Sequence, residues 1–202
     1  MTSQLLESDL DPNPFVQFER WFEDAKRAQP EMPEAMTLAT ADAEGSVSAR
    51  IVLLKSFDAR GFVFFTNYNS RKSSQLRDNP RAALVFYWPA TERQVRIEGA
   101  VVKTTEEESD AYFATRPRGS QLGAWASEQS RVIAGRGDLD ERFRQMDSTY
   151  RDVTIPRPPH WGGYRLIPIT IEFWQGRADR LHDRFAYRLR EAKDWVIERM
   201  AP

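Results

Sequence analysis

Apolar residues change their spacing twice along this chain. Between residues 14 and 29 the spacing is helical: Phe15, Phe18, Phe22 and Ala25 fall at i, i+3, i+7 and i+10, with Glu19, Glu23 and Lys26 off that face. Asn13-Pro14 supplies an N-cap and a first-turn proline, and Pro30 and Pro33 stop the helix. Residues 1–12 are polar and are expected to be loose. From residue 36 short apolar runs alternate with turn residues. They predict strands over Met36–Thr40, Val47–Phe57, Phe62–Thr66, Ala82–Trp88 and Gln94–Lys103. In the last, Val95, Ile97 and Gly99 alternate with Gln94, Arg96 and Glu98, as in a strand with one buried face. Asn69 can cap a short helix over Ser70–Arg77, which Asn79-Pro80 ends.

Helical spacing returns over Thr105–Thr115, where Thr105 and Glu108 are placed as a capping box, and over Gly119–Glu128 and Asp138–Tyr150. A proline-rich loop, Ile155 to His160, leads to strands over Tyr164–Trp174, Arg184–Leu189 and Trp195–Arg199. Consecutive hairpins without strand–helix–strand alternation predict an α+β fold, an antiparallel sheet or barrel with flanking helices, as a single domain over 13–202.

Composition narrows the classes. Hydrophobic residues make up 41% of the 202 and include 24 aromatics, enough for one core. No apolar run approaches the roughly 18 residues of a membrane span. The acidic N-terminus lacks the apolar segment of a signal peptide, so a cytoplasmic location is expected. With no Cys, thiolate chemistry and Cys-based metal sites are excluded. The net charge of −1 argues against a general nucleic-acid binder. Within it stand 24 Arg against 5 Lys. GC-rich coding explains such an excess as readily as phosphate recognition does, so placement has to decide.

Four blocks carry the cations. Asn69-Ser-Arg-Lys-Ser73 opens a helix with Arg71 and Lys72 in its first turn, where acidic residues are normally favoured. The pair is either solvated or gathered round an anion. Arg50 and Lys55 bracket Ile51, Val52, Leu53 and Leu54; in an unbroken pleat they point to opposite faces and serve different partners, unless a bulge intervenes. Tyr112, Arg116 and Ser120 form a plausible phosphate clamp or a capped loop. In Arg180-Leu181-His182-Asp183-Arg184, alternate residues share a face if the segment is a strand. No metal-ligand spacing, Gly-x-Gly-x-x-Gly, Walker A or Gly-x-Ser-x-Gly motif occurs. The blocks together suggest a phosphorylated ligand held by side chains.

These blocks, with Phe65-Thr-Asn67, Glu92-Arg-Gln94-Val, Gln129-Ser130, Trp161-Gly-Gly163, Glu172-Phe-Trp-Gln-Gly176 and the terminal Arg199-Met-Ala-Pro202, resemble the pyridoxine/pyridoxamine 5′-phosphate oxidase family over roughly residues 10–202. The resemblance implies a Greek-key split β-barrel acting as a homodimer, with FMN at the subunit interface. It places Arg50, Thr66, Arg71 and Lys72 near the FMN phosphate, with Ile51 to Lys55 and Phe65 alongside. Gln94, Trp174 and Arg184 would contact the rest of the flavin, and Gln129 and Ser130 would reach it from the other subunit. Lys55, Tyr112, Arg116 and Ser120 would hold the substrate phosphate, and Arg180, Leu181 and His182 would lie at the pyridine ring, Arg180 and His182 as the catalytic pair. The implied reaction oxidises pyridoxine or pyridoxamine 5′-phosphate to pyridoxal 5′-phosphate, with O2 as acceptor and H2O2 as product. Family members often carry a longer basic N-terminal arm that folds over the substrate; the acidic Leu5–Asp9 here departs from it. The alternatives are a phenazine-type flavin oxidase on the same fold and a non-catalytic FMN- or pyridoxal-phosphate-binding protein.

Overall fold

The computed structural model describes residues 4–191 and 194–202. Helix α1 (Pro14–Ala28) starts as its sequence dictates: the Asn13 side chain accepts the Phe15 N–H at 2.9 Å and Pro14 sits in the first turn. Its buried face holds Phe18, Trp21, Phe22 and Ala25, with Gln17 also buried. Phe18 meets the rings of Phe22, Phe57, Phe62, Phe86 and Trp88, so α1 closes one mouth of the curled sheet with aromatic packing.

The strands are β1 (Ala35–Ala41), β2 (Val47–Leu53), β3 (Ser56–Asp58), β4 (Gly61–Asn67), β5 (Arg81–Trp88), β6 (Arg93–Lys103), β7 (Trp161–Gln175), β8 (Asp183–Leu189) and β9 (Trp195–Met200). All pair antiparallel in the order β2-β1-β5-β6-β7-β4-β3, with β8 on β7 and β9 on β8. The long strand β7 organises the sheet. Beside β6 from Tyr164 to Gln175, it pairs with β4 from Trp161 to Leu166 and with β8 from Thr170 to Gln175. Pro168 falls between those two partners, so on that side of β7 neither β4 nor β8 needs the N–H it lacks. Opposite it the register of β6 shifts at Glu98/Gly99, and a Cβ on Gly99 would stand 2.0 Å from the Ile167 carbonyl oxygen. Only glycine allows the two backbones that close. The bulge and the change of partner curl the sheet into a half-barrel.

Helix α2 (Arg71–Asp78) follows β4, and α3 (Glu106–Ala114), α4 (Arg118–Ala126) and α5 (Arg136–Thr149) lie between β6 and β7. The predicted capping box forms: Thr105 Oγ1 accepts the Glu108 N–H at 3.1 Å, and Glu108 Oε2 accepts the Thr105 N–H at 3.2 Å. A second apolar cluster, Phe113, Leu122, Ala124, Ile155 and Trp161, fixes α3 and α4 to the start of β7.

Three expectations change. The strand expected over Val47–Phe57 is two strands. The Leu54 N–H turns to the Glu34 carbonyl and the Lys55 N–H to the Val63 carbonyl, which breaks the pleat between Arg50 and Lys55. Ser70, not Asn69, is the N-cap residue of α2, while the Asn69 N–H is held by Asn67 Oδ1. Before α1, Leu5 is only 6% exposed, its N–H donates to Asp183 Oδ2 at 3.1 Å, and Glu7 pairs with Arg199 at 2.7 Å.

Candidate functional site

Strand β2 is the free end of the main sheet path, and its consecutive residues Arg50 to Leu53 line one space. Across from it stand the end of β4, the first turn of α2 and helices α3 and α4. Between them lies a cleft of about 1020 Å³ lined by Arg50, Ile51, Val52, Leu53, Lys55, Phe65, Thr66, Lys72, Tyr112, Arg116, Ser120 and Gln129. The break after Leu53 lets Arg50 and Lys55 face one cleft, where an unbroken pleat would separate them. Leu54 does not line it; 4% exposed, it belongs to the main core.

One group of polar side chains gathers round Lys72. Its Nζ donates to Thr66 Oγ1 (3.0 Å), Gln129 Oε1 (3.2 Å) and Ser70 Oγ (3.3 Å). These are all neutral acceptors. Burial, with Arg50 nearby, pulls the Lys72 ammonium down to about 8. Burial and the neighbouring Arg71 likewise hold Arg50 below its ordinary range. The Arg50 guanidinium donates to the Leu38 carbonyl at 3.1 Å, to Thr40 Oγ1 at 2.7 Å and to Ser48 Oγ. Both hydroxyls donate onward to Gln75 Oε1 at 2.6 Å. Gln75 is buried on α2, one turn from Lys72, so a single helix orients both cations. Sequence reading missed Gln75, Thr40 and Ser48. The available signal was a glutamine sharing the inward face of α2 with Leu76.

A second group surrounds Arg116. Its guanidinium lies 4.6 Å from the Trp161 ring centre, and its buried Nη1 has no hydrogen-bond partner. Burial lowers its pKa, with Tyr112 opposing. The rings of Tyr112, Phe65 and Trp161 are nearly parallel, Phe65 4.1 Å from Tyr112 and 5.4 Å from Trp161, and give the cleft a flat aromatic wall. Among the described residues Arg50, Lys55, Arg71, Lys72 and Arg116 make no salt bridge. A pocket of cations without carboxylates is built for an anion.

Other expected site residues lie elsewhere. Arg71 is exposed and does not line the cleft; its backbone N–H donates to Ser130 Oγ at 3.2 Å. Gln129 and Ser130 touch α2 and β4 of their own chain, and Gln129 lines that chain's cleft. Gln94, Trp174 and Arg184 adjoin one another across β6, β7 and β8. The His182 ring lies 4.6 Å from Trp174, tilted by 45°. These four, with Arg180 and Leu181, do not line the cleft of their own chain. Charges on this edge are paired: Glu172 bridges Arg96 (3.3 Å) and Arg184 (3.0 Å), and Asp183 holds Arg199 at 3.0 Å. Arg180 and Asp179 are exceptions, without a salt bridge among the described residues, on a turn where both have positive φ (59° and 57°).

Comparison with known proteins agrees with this geometry. A family model described as pyridoxamine 5′-phosphate oxidase matches residues 22–150, and one described as the pyridoxine 5′-phosphate oxidase C-terminal dimerisation region matches residues 161–202. The chain is similar to the pyridoxine/pyridoxamine 5′-phosphate oxidase of Paraburkholderia phymatum, 63% identical over 195 residues that cover 96% of this chain and 92% of that protein. The corresponding protein of Cupriavidus necator is 59% identical, with 98% and 93% covered. Among solved structures, PhzG from Burkholderia lata 383, in complex with tetrahydrophenazine-1-carboxylic acid, superposes with a TM-score of 0.92 at 33% identity, covering 100% of this chain and 99% of that one. The curled sheet and its flanking helices thus define a split-barrel oxidoreductase. The chain belongs to the pyridoxamine 5′-phosphate oxidase family.

Proposed function

We propose that this enzyme oxidises pyridoxine and pyridoxamine 5′-phosphate to pyridoxal 5′-phosphate with FMN as cofactor, as a homodimer with the flavin at the subunit interface. The observation that carries the reading is the cleft's two sets of cations lacking carboxylate partners, separated by a flat aromatic wall. Two phosphorylated ring ligands fit such a donor set. The buried, unpartnered Arg116 Nη1 is an open hydrogen-bond donor of the kind a phosphate oxygen satisfies.

Arg50, Lys72 and Thr66 would hold the FMN phosphate, with Arg71 adding charge from the rim and Gln129 and Ser130 closing the same end. Ile51, Val52, Leu53 and Phe65 would border the flavin. Lys55, Tyr112, Arg116 and Ser120 would hold the substrate phosphate. Gln94, Trp174 and Arg184, outside their own chain's cleft, would complete the flavin site from the second subunit, carrying Arg180, Leu181 and His182 to the substrate ring. The match of residues 161–202 to a dimerisation region supports that arrangement. When bound, the flavin supplies a two-electron acceptor that takes hydride from substrate C4′ and is reoxidised by O2 to give H2O2. The chain's own contribution is to fix both phosphates, shield the rings from water and orient the C4′ bond.

The phenazine-type reading keeps the same fold, but its structural neighbour is 33% identical, against 63% and 59% for the oxidases named above. Anaerobic addition of pyridoxamine 5′-phosphate to the FMN-loaded protein tests the proposal. Bleaching of the flavin band, then equal amounts of pyridoxal 5′-phosphate and peroxide on admitting O2, is the expected result. A flavin that stays yellow would instead identify a binding protein without turnover.

A further inference from the structure

The turn between β7 and β8 shows how His182 is held. The Arg177 backbone N–H donates to His182 Nδ1 at 3.1 Å. A backbone amide can only donate, so Nδ1 must present its lone pair and carries no proton. In the neutral ring the proton is then on Nε2, which has no partner among the described residues. The rest of the turn keeps this contact in place. The Trp174 ring lies against the imidazole at 4.6 Å. Asp183, the next residue, is anchored by the Leu5 N–H at 3.1 Å and by Arg199 at 3.0 Å. The Leu181 N–H returns to the Ala178 carbonyl, and Asp179 and Arg180 hold positive φ, which non-glycine residues rarely adopt.

We propose that this turn locks His182 as the Nε2–H tautomer, so that His182 meets the substrate as a hydrogen-bond donor and not as the base that takes its proton. The inference rests on the functional reading above only in naming what Nε2 meets; the tautomer itself follows from the turn. A base needs a lone pair, and the one lone pair of this ring is committed to Arg177. As C4′ gives up its hydride to the acceptor of the oxidase reaction, the proton of the attached hydroxyl or amine passes to water. With the hydroxyl substrate the Nε2–H holds the C4′ oxygen in place through its second lone pair, whereas the single lone pair of the amine is left free to form the C=N bond. The Arg177 amide and Asp183 are positioning groups acting through His182.

Only two histidines occur in the sequence, so 15N-histidine labelling of the FMN-loaded protein gives two rings to resolve. The set lost in His182→Asn assigns His182. The expected spectrum shows Nδ1 unprotonated and Nε2 protonated at the pH of the assay. An Nδ1–H ring or an imidazolium there would overturn the proposal. Glutamine places an amide near Nε2, whereas asparagine reaches only as far as Nδ1. One lost neutral hydrogen bond corresponds to about tenfold in rate, so His182→Gln should keep a kcat about tenfold above His182→Asn. An equal or lower kcat for the glutamine variant would remove the donor role. If the wild-type enzyme forms neither pyridoxal 5′-phosphate nor peroxide, the functional reading fails while the tautomer read from the spectrum stands.

Discussion

The cleft and the β7–β8 edge handle charge in opposite ways. In the cleft, Arg50, Lys72 and Arg116 face neutral acceptors or aromatic rings; burial pulls all three pKa values down, with a neighbouring arginine adding to it at Arg50 and Lys72. At the edge, Arg96, Arg184 and Arg199 each meet a carboxylate, and Glu172 and Asp183 are buried between them. The difference separates two tasks. Cations left unpaired store an attraction that only an incoming anion can satisfy. Cations paired in advance spend it on rigidity, which suits a wall that must hold Trp174 and His182 in fixed orientation.

The sharpest way to break that comparison is to remove the charge of Lys72. Lys72→Met should weaken FMN binding about 100-fold, the worth of a charge-assisted hydrogen bond to phosphate at roughly 1.5–3 kcal/mol. The cofactor-free protein should be no less stable, because a buried unpaired cation is gone. Flavin titration and urea unfolding of the same variant measure both. Parallel loss of stability and affinity would mean that the cleft is built like the edge. Glu172→Gln makes the reciprocal test. It leaves Arg184 and Arg96 without their shared carboxylate and should cost about 2 kcal/mol in urea unfolding, less than a fully buried pair because both arginines are partly exposed.

The smallest effect is the pH response. In the cofactor-free fold Lys72 loses its proton near 8 rather than at its ordinary 10.5. Below pH 8 it is charged in both folded and unfolded chains, and the fold bears the full penalty of burying it. That penalty is relieved as pH rises from about 8 to 10.5, so apo stability should rise in this window. FMN affinity should move the other way. It should rise as the phosphate takes its second charge near pH 6, level off, then fall by up to about tenfold per pH unit above 8 as the ammonium is lost. Fluorescence titration across this range measures it, and Lys72→Met should abolish the alkaline fall.

Much of this was legible in the chain. The α1 face, the α3 capping box and the hairpin strands follow from spacing and turn residues, because each depends on neighbours close in sequence. The cation blocks were equally visible. What escaped was whatever distant backbone decides. The strand from Val47 breaks at Leu54 because Glu34 and Val63 capture its amides, and no periodicity shows that. Gln75 reads as a polar helix residue until β1 and β2 bring Thr40 and Ser48 to it. For Gln129 and Ser130, a motif records that they meet a ligand but not from which direction. Pro168, which argues against a central strand, is tolerated because β7 changes partners there.

The tie between the chain's two ends has a consequence for the order of assembly. Leu5, Glu7, Asp183 and Arg199 hold one another across as many as 194 positions of sequence. A nascent chain leaving the ribosome can form the β1–β2 hairpin early. The clamp on Asp183 must wait until the last strand has emerged. The residues lining the cation-rich cleft are all synthesised by Trp161, ahead of the histidine turn and its brace, and the orienting half of the enzyme is the last to be made.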